Sequence, residues 1–571
     1  NFLGLGEIMD KIIDFAKKHH EWLTVLDLGI IFYFIFFHNI GNYALMDVDE
    51  TRYVAMSRDM FNSKDFLTLY LNGDYFFEKP PLYFWGECLS FAVFGKINEF
   101  SARFPVALYG MLTAFLVYFT GRRLVSKSYG VISSLILATS FEFVILSKFA
   151  ILDIVVSTCI AFSLMFGFLT FFCKKENKKY FWWLFYIFSG LAVMAKGIPG
   201  FVVPFGTIFF VSISQRKFKE IFRPQYFVVG FLLFFLITVP WHAAMFKIHD
   251  PLFFNEYIVK HHLERFINTN EIGRKQPFYF YILTFLWGFL PWIFSAIAAV
   301  ICRIKHLKKI SFENLDNSGK FLLFNSIAFL FIMLFFSASS TKLITYILPI
   351  YVPAACILGF AWKDYIQKGV CEKAINISVY ILSGICLIAS IGGLFTQYFL
   401  PESLYNDILN AKWFCIILVF MFGAASAVFA VKKKYAGVFA SYVLFIAILS
   451  AFGTKMFFNI DYRFGQNDLM RIAASVKAEQ KPLATFGFSR RYSLLYYYGG
   501  KVNFNIEKDY DVLKELLKHE NYRVIVKTKD LNELRRNTYY VVLYKGRKYS
   551  LIKGFPYKRN TKIILKNRPT D

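Results

Sequence analysis

The feature that most restricts this chain is the recurrence of apolar runs close to the ~20 residues an α-helix needs to cross ~30 Å of hydrocarbon. Runs of this kind stand near 23–45, 104–121, 129–147, 154–173, 180–195, 199–214, 225–246, 278–302, 320–338, 343–362, 374–398, 411–431 and 435–458. A hydropathy window therefore gives about thirteen spans, with 180–214 divisible in more than one way. Hydrophobic residues make up 57% of the 571 and the mean hydropathy is +0.45, which excludes a soluble domain covering its surface with charge. The chain reads as a polytopic α-helical membrane protein. Residues 1–8 precede Met9 without a methionine of their own, read as an addition ahead of the native start, and are set aside. The first span follows a Lys-containing amphipathic stretch and reads as a retained helix.

Basic residues predict the orientation. With the N-terminus in the cytoplasm, the loops on its side carry Arg122, Arg123 and Lys127; Lys174, Lys175, Lys178 and Lys179; Arg216, Lys217, Lys219 and Arg223; Arg303, Lys305, Lys308 and Lys309; Lys363, Lys368 and Lys373; and Lys432 to Lys434. The opposite turn at 399–410 has no Lys or Arg, as the positive-inside rule requires. An odd number of spans then puts the C-terminal region outside. The net charge of +26 is largely this loop charge plus a basic C-terminal region suited to anionic lipid headgroups, so no nucleic-acid partner is expected. The eight cysteines lie in or beside spans at no metal-ligand spacing and imply no disulfide framework.

The expected organisation is a transmembrane domain over 9–458, with long outer loops at 46–103 and 247–277, followed by a soluble α/β domain over 459–571. Within the outer loops, 49–62 and 80–95 are expected to lie along the interface as helices. In the C-terminal region PLATFGFS, KVNFNIE, NYRVIVKT and the hairpin TYYVVLYKGRKYSLIKGF read as strands, and RRYSLLYYYGG and DYDVLKELLKHE as helices.

This topology gathers scattered charges on the outer side: Asp49, Glu50 and Arg52; Glu78 and Lys79; Lys148 and Asp153; Lys196; His261, His262 and Arg265; and Lys342. Each has a bland reading. Asp49 and Glu50 can cap the helix that follows them. Lys148 and Lys196 can snorkel to the interface. The adjacent histidines point about 100° apart on a helix and do not readily serve one site. The coincidence on one face favours function, because a charge within the hydrocarbon costs at least ~2.5–3.5 kcal/mol. Carboxylates suit proton abstraction and the cations suit phosphate binding, a combination fitted to glycosyl transfer from a phosphorylated lipid.

The motifs DETRYVAMSRDM (49–60), LNGDYFFEKPPLYFW (71–85), FAILD (149–153), MAKGIPGFVVP (194–204), VPWHAAMFKIHDPLFFNEYIVKHHLERF (239–266), QPFYFYILTFLWGFLPW (276–292) and FSASSTKLITYILP (336–349) resemble the aminoarabinose (4-amino-4-deoxy-L-arabinose) lipid A transferase family. This is a branch of the GT-C membrane glycosyltransferases related to protein O-mannosyltransferases. The resemblance covers roughly 45–350. It implies an undecaprenyl (polyprenyl) phosphate-linked sugar donor, a lipid or glycolipid acceptor, a bacterial inner-membrane location and a monomeric inverting enzyme.

By position, the resemblance makes Asp49 the catalytic base and Asp153 the second acid, with Lys79, Lys196 and Arg265 around the donor phosphate. Glu50, Arg52, Lys342 and Tyr346 support them. Glu78 and His262 become ligands of a zinc-like divalent ion, which two protein ligands alone hold weakly. Two departures stand out: Lys260-His261 precede the matched histidine in place of Glu, and KLITY replaces KLPTY. The acceptor is the least transferable item, and the same chemistry on a protein or another glycan stays open. A lipid-linked sugar transporter is the reading from another class, disfavoured because no internal repeat is visible.

Overall fold

A computed structural model of the chain describes residues 21–264, 276–307, 315–453, 456, 465–518 and 521–554. Every one of the thirteen apolar runs carries helix. Seven are single helical stretches long and apolar enough to cross a membrane: Glu99–Leu124, Pro224–His249, Asn317–Ala338, Ile344–Lys368, Glu372–Leu394, Ala411–Val431 and Tyr435–Gly453. Others are shorter apolar helices, among them Lys127–Ala138, Asp153–Leu169 and Pro199–Ser214. Among the described residues the count of continuous crossings therefore falls below thirteen, because several runs spend part of their length in breaks.

Two of those breaks sit back to back. The 278–302 run bends by 110° between Phe280–Gly288 and the helix that begins at Ile293. Pro291 lies in the bend, where its missing N–H removes a helical bond. The 129–147 run likewise divides into Lys127–Ala138 and Phe141–Leu146. Each break supplies what the other lacks: the Phe141 N–H donates to the Leu290 carbonyl at 3.1 Å, and Trp292 Nε1 donates to Thr139 Oγ1 at 3.0 Å. Non-helical backbone at this depth survives only where protein satisfies it.

The expectation of no disulfide is corrected. Cys302 and Cys371 are bonded, their Cα atoms 6.1 Å apart, tying the far end of the Ile293–Leu307 helix to the start of Glu372–Leu394. A separation of 69 residues gives no sequence signal. The bond sits beside the Arg303–Asp364 ion pair at 2.6 Å.

The chain folds as two compact units. The larger holds residues 1–44, 57–69 and 75–460, and the smaller holds 45–56, 70–74 and 461–571. The smaller is built on a five-stranded sheet. Leu483–Phe486 pairs in parallel with Val502–Asn505 on one side and Arg523–Lys527 on the other, and Tyr549–Gly554 and Tyr540–Lys545 complete the sheet antiparallel. Leu483–Phe486 is buried along its whole length, as a central strand must be. Helix Tyr510–Lys518 lays Leu513, Leu516 and Leu517 against Ala484, Phe486, Val524 and Ile552. The sequence reading did not mark the helix Gln466–Glu479. Its buried Leu469, Ile472, Ala473 and Val476 carry the i, i+3, i+4, i+7 spacing that would have found it.

Candidate active site

The first acidic stretch is held inside the smaller unit. The Leu45 N–H donates to Tyr497 Oη at 3.0 Å, and Gln466 Nε2 donates to the Leu45 carbonyl. Asp47 accepts from Ser493 N at 2.7 Å and Ser493 Oγ at 2.6 Å, and from Thr51 Oγ1. Asp47 therefore fixes the turn ahead of Asp49, a role the sequence did not reveal because its partner lies 446 residues away. Asp49 opens the helix Asp49–Ser63 and pairs with Arg52 Nη2 at 2.8 Å; its side chain is 59% exposed. Glu50 is buried and accepts from the Met46 N–H at 2.7 Å, tying the helix back to the segment ahead of it. Of the two neighbours, one carboxylate is committed to the backbone and the other is open to solvent.

The larger unit holds the second acid. Asp153 begins the helix Asp153–Leu169, where the positive end of the dipole favours a carboxylate. It accepts from Lys196 Nζ, and both side chains are only 12% exposed. The Lys196 ammonium also lies 4.2 Å from the centroid of the Tyr346 ring. Lys196 ends the helix Lys178–Lys196, and the turn after it explains the MAKGIPG motif. Gly197 has φ +80°, a conformation that disfavours side chains, and Pro199 starts the next helix. At Gly200 a Cβ would run into the backbone of Ala192. Tyr346 rides on the short 3₁₀ stretch Ile344–Ile350. Asp153, Lys196 and Tyr346 are thus brought together from three separated motifs.

Other expected residues fall elsewhere. Lys148 is buried, its ammonium donating to the carbonyls of Ser450 at 2.6 Å and His38 at 3.3 Å, so it does not snorkel. Burial pushes its pKa down to about 7. Lys342 is also buried, donating to the Ser339 carbonyl at 2.5 Å and the Gln276 carbonyl at 3.1 Å, and burial lowers its pKa. Both of these partners are backbone oxygens. Glu78 and Lys79 are half-buried in the bend ahead of Pro80 and Pro81. Arg265 lies outside the described residues, as does the side chain of His262. Among the described residues no three His, Cys, Asp or Glu side chains gather to hold a metal.

Sequence reasoning missed two buried ionisable residues in this unit. Glu142, in the first turn of Phe141–Leu146, is buried and accepts from Tyr351 Oη at 2.5 Å. Its Oε1 has no partner among the described residues, and its carboxyl is within electrostatic reach of Asp153. A Cβ at Gly288 would collide with Tyr351 Oη, so the pair excludes any larger residue there. The signal was a glutamate inside an apolar run. Arg103 is fully buried, donating to the carbonyls of Ile40, Tyr43 and Ala44 at 2.7–2.8 Å and lying 3.9 Å from the Tyr43 ring centroid. It fixes the end of the first helical region.

Comparison with known proteins agrees with this fold. The family model for dolichyl-phosphate-mannose-protein mannosyltransferase matches residues 22–254. A protein of Aquifex aeolicus is 32% identical over 65% of this chain and 69% of its own. Undecaprenyl phosphate-alpha-4-amino-4-deoxy-L-arabinose arabinosyl transferase 1 of Proteus mirabilis is 27% identical over 71% and 70%. The crystal structure of ArnT from Cupriavidus metallidurans bound to undecaprenyl phosphate superposes with a TM-score of 0.77, covering 92% of this chain and 97% of that one at 19% identity. The fold is that of a multi-span membrane glycosyltransferase of GT-C architecture. Within that class, the chain belongs to the aminoarabinose transferase family.

Proposed function

We propose that the protein transfers a sugar, 4-amino-4-deoxy-L-arabinose by its relatives, from undecaprenyl phosphate to a hydroxyl or phosphate of a lipid A-type glycolipid. The observation that carries the reading is the Asp153–Lys196 pair, an ammonium held in a nearly dry site beside Tyr346. Lys196, with Lys79 and Arg265, binds the donor phosphate, and Asp153 holds the ammonium until phosphate competes for it. Asp49 takes the acceptor proton. The acceptor oxygen then bonds to the anomeric carbon from the face opposite the phosphate, so the configuration inverts. The C–O bond to phosphate breaks, and polyprenyl phosphate leaves as an anion stabilised by the cations. The proposed setting is a bacterial inner membrane, with the N-terminus in the cytoplasm and the site on the outer face.

The test is incubation of the purified protein with undecaprenyl phosphate-linked sugars and candidate acceptors, followed by mass spectrometry of the products. Glycolipid gaining one aminodeoxypentosyl mass is the expected result, whereas product on a protein acceptor alone would replace the acceptor assigned here. Asp49→Asn is expected to bind donor normally and lose at least ~100-fold in rate, in the range of general-base catalysis. An unchanged rate removes Asp49 from its role.

A further inference from the structure

A groove far from this site carries chemistry of its own. It lies between the C-terminal end of Glu372–Leu394 and the early turns of Glu402–Val431, with a cavity volume of about 250 Å³. Its walls are apolar or small, including Ala389, Gly393, Ala411 and Ile416, and one charged side chain lines it, Lys412. The outer surfaces of the same helices expose Ile381, Ile385, Ile388, Trp413, Ile417 and Met421, as expected of a pair bathed in lipid.

Lysines near span ends normally reach outward to the headgroups. Lys412 instead lies folded down, 8% exposed, with its ammonium 5.0 Å from the Tyr405 ring centroid and 5.3 Å from that of Trp413. Among the described residues one hydrogen-bond acceptor meets it, the Leu394 carbonyl at 3.2 Å. An ammonium has three donors, so this cap on the helix end leaves capacity for an anion. The neighbouring segment 399–410 has no basic residue, which concentrates the attraction at this point. An apolar slot ending in an aromatic-flanked cation matches one occupant: an acyl chain whose headgroup is an anionic phosphodiester.

We infer that this groove is a binding site for an anionic phospholipid of the leaflet on the 399–410 side, one acyl chain filling the slot and the phosphate resting on Lys412. The site is separate from sugar transfer and does not depend on the acceptor proposed above.

The test uses the full chain in nanodiscs of phosphatidylglycerol with phosphatidylcholine, extracted into mild detergent and weighed intact by native mass spectrometry. Wild-type protein is expected to retain a phosphatidylglycerol adduct in preference to phosphatidylcholine. Lys412→Met is expected to lose about tenfold in that retention, Lys412→Arg to keep it, and Ala389→Phe, which fills the slot without touching the charge, to lose it. Size exclusion identifies any variant that fails to fold, and Ala389→Phe and Lys412→Arg supply independent readings. Equal retention of the two lipids by wild type, or undiminished retention by either Lys412→Met or Ala389→Phe, overturns the proposal. If Lys412 only caps the Leu394 carbonyl, Lys412→Met lowers thermal stability and leaves lipid retention unchanged, which also overturns it.

Discussion

At the scale of single residues, the chain treats its buried charges in two ways. Lys148, Lys342 and Arg103 are satisfied by backbone carbonyls and act as staples, whereas Lys196 is matched by one carboxylate and one ring face. Removing one partner of a buried pair leaves an uncompensated charge and costs ~3–5 kcal/mol. Lys196→Met is therefore expected to lower the melting temperature more than Lys196→Met combined with Asp153→Asn; additive losses in thermal unfolding would count against a tight pair. Lys148 carries a pH dependence of opposite sense to an ordinary salt bridge. Its folded pKa of about 7 lies below the ordinary lysine value, so between them the unfolded chain binds more protons and stability rises with pH. The melting temperature of wild type should climb relative to Lys148→Met from pH 7 to pH 9, and parallel slopes would show that burial does not depress the lysine. Asp153 and Lys196 were legible because a charge at the edge of an apolar run is conspicuous in any sequence. The partner of Glu142 was not, since Tyr351 is 209 residues away and a tyrosine in an apolar run attracts no notice.

At the scale of elements, hydropathy located every helical run but not the breaks within them. The period of a helix says nothing about whether a tertiary partner will satisfy an interrupted backbone. The two breaks at 139–140 and 289–292 are bonded to one another through the Phe141–Leu290 and Thr139–Trp292 pairs. A double-mutant cycle on Thr139→Ala and Trp292→Phe is expected to show a coupling of ~1 kcal/mol in unfolding free energy, so that the second change costs little once the first is made. Independent costs would mean that each break is held by its own surroundings.

At the scale of the whole molecule, the smaller unit is discontinuous in sequence. It takes in 45–56 and 70–74 as well as the C-terminal sheet, and Leu45, Asp47 and Asn72 bond directly to Gln466, Ser493 and Val502. The composition change near 459 marks where the chain re-enters this unit, and nothing in composition marks its earlier pieces, which read as parts of an outer loop with an interfacial helix at 49–62. For protein engineering the natural seam accordingly encloses three segments through five junctions, and not one. A recombinant that exchanges only residues 461–571 with a relative would orphan the carboxylate of Asp47 and the amide of Asn72, and with them the turn from which Asp49 projects. A donor sequence brought in together with its own counterparts of 45–56 and 70–74 would arrive with that turn already assembled.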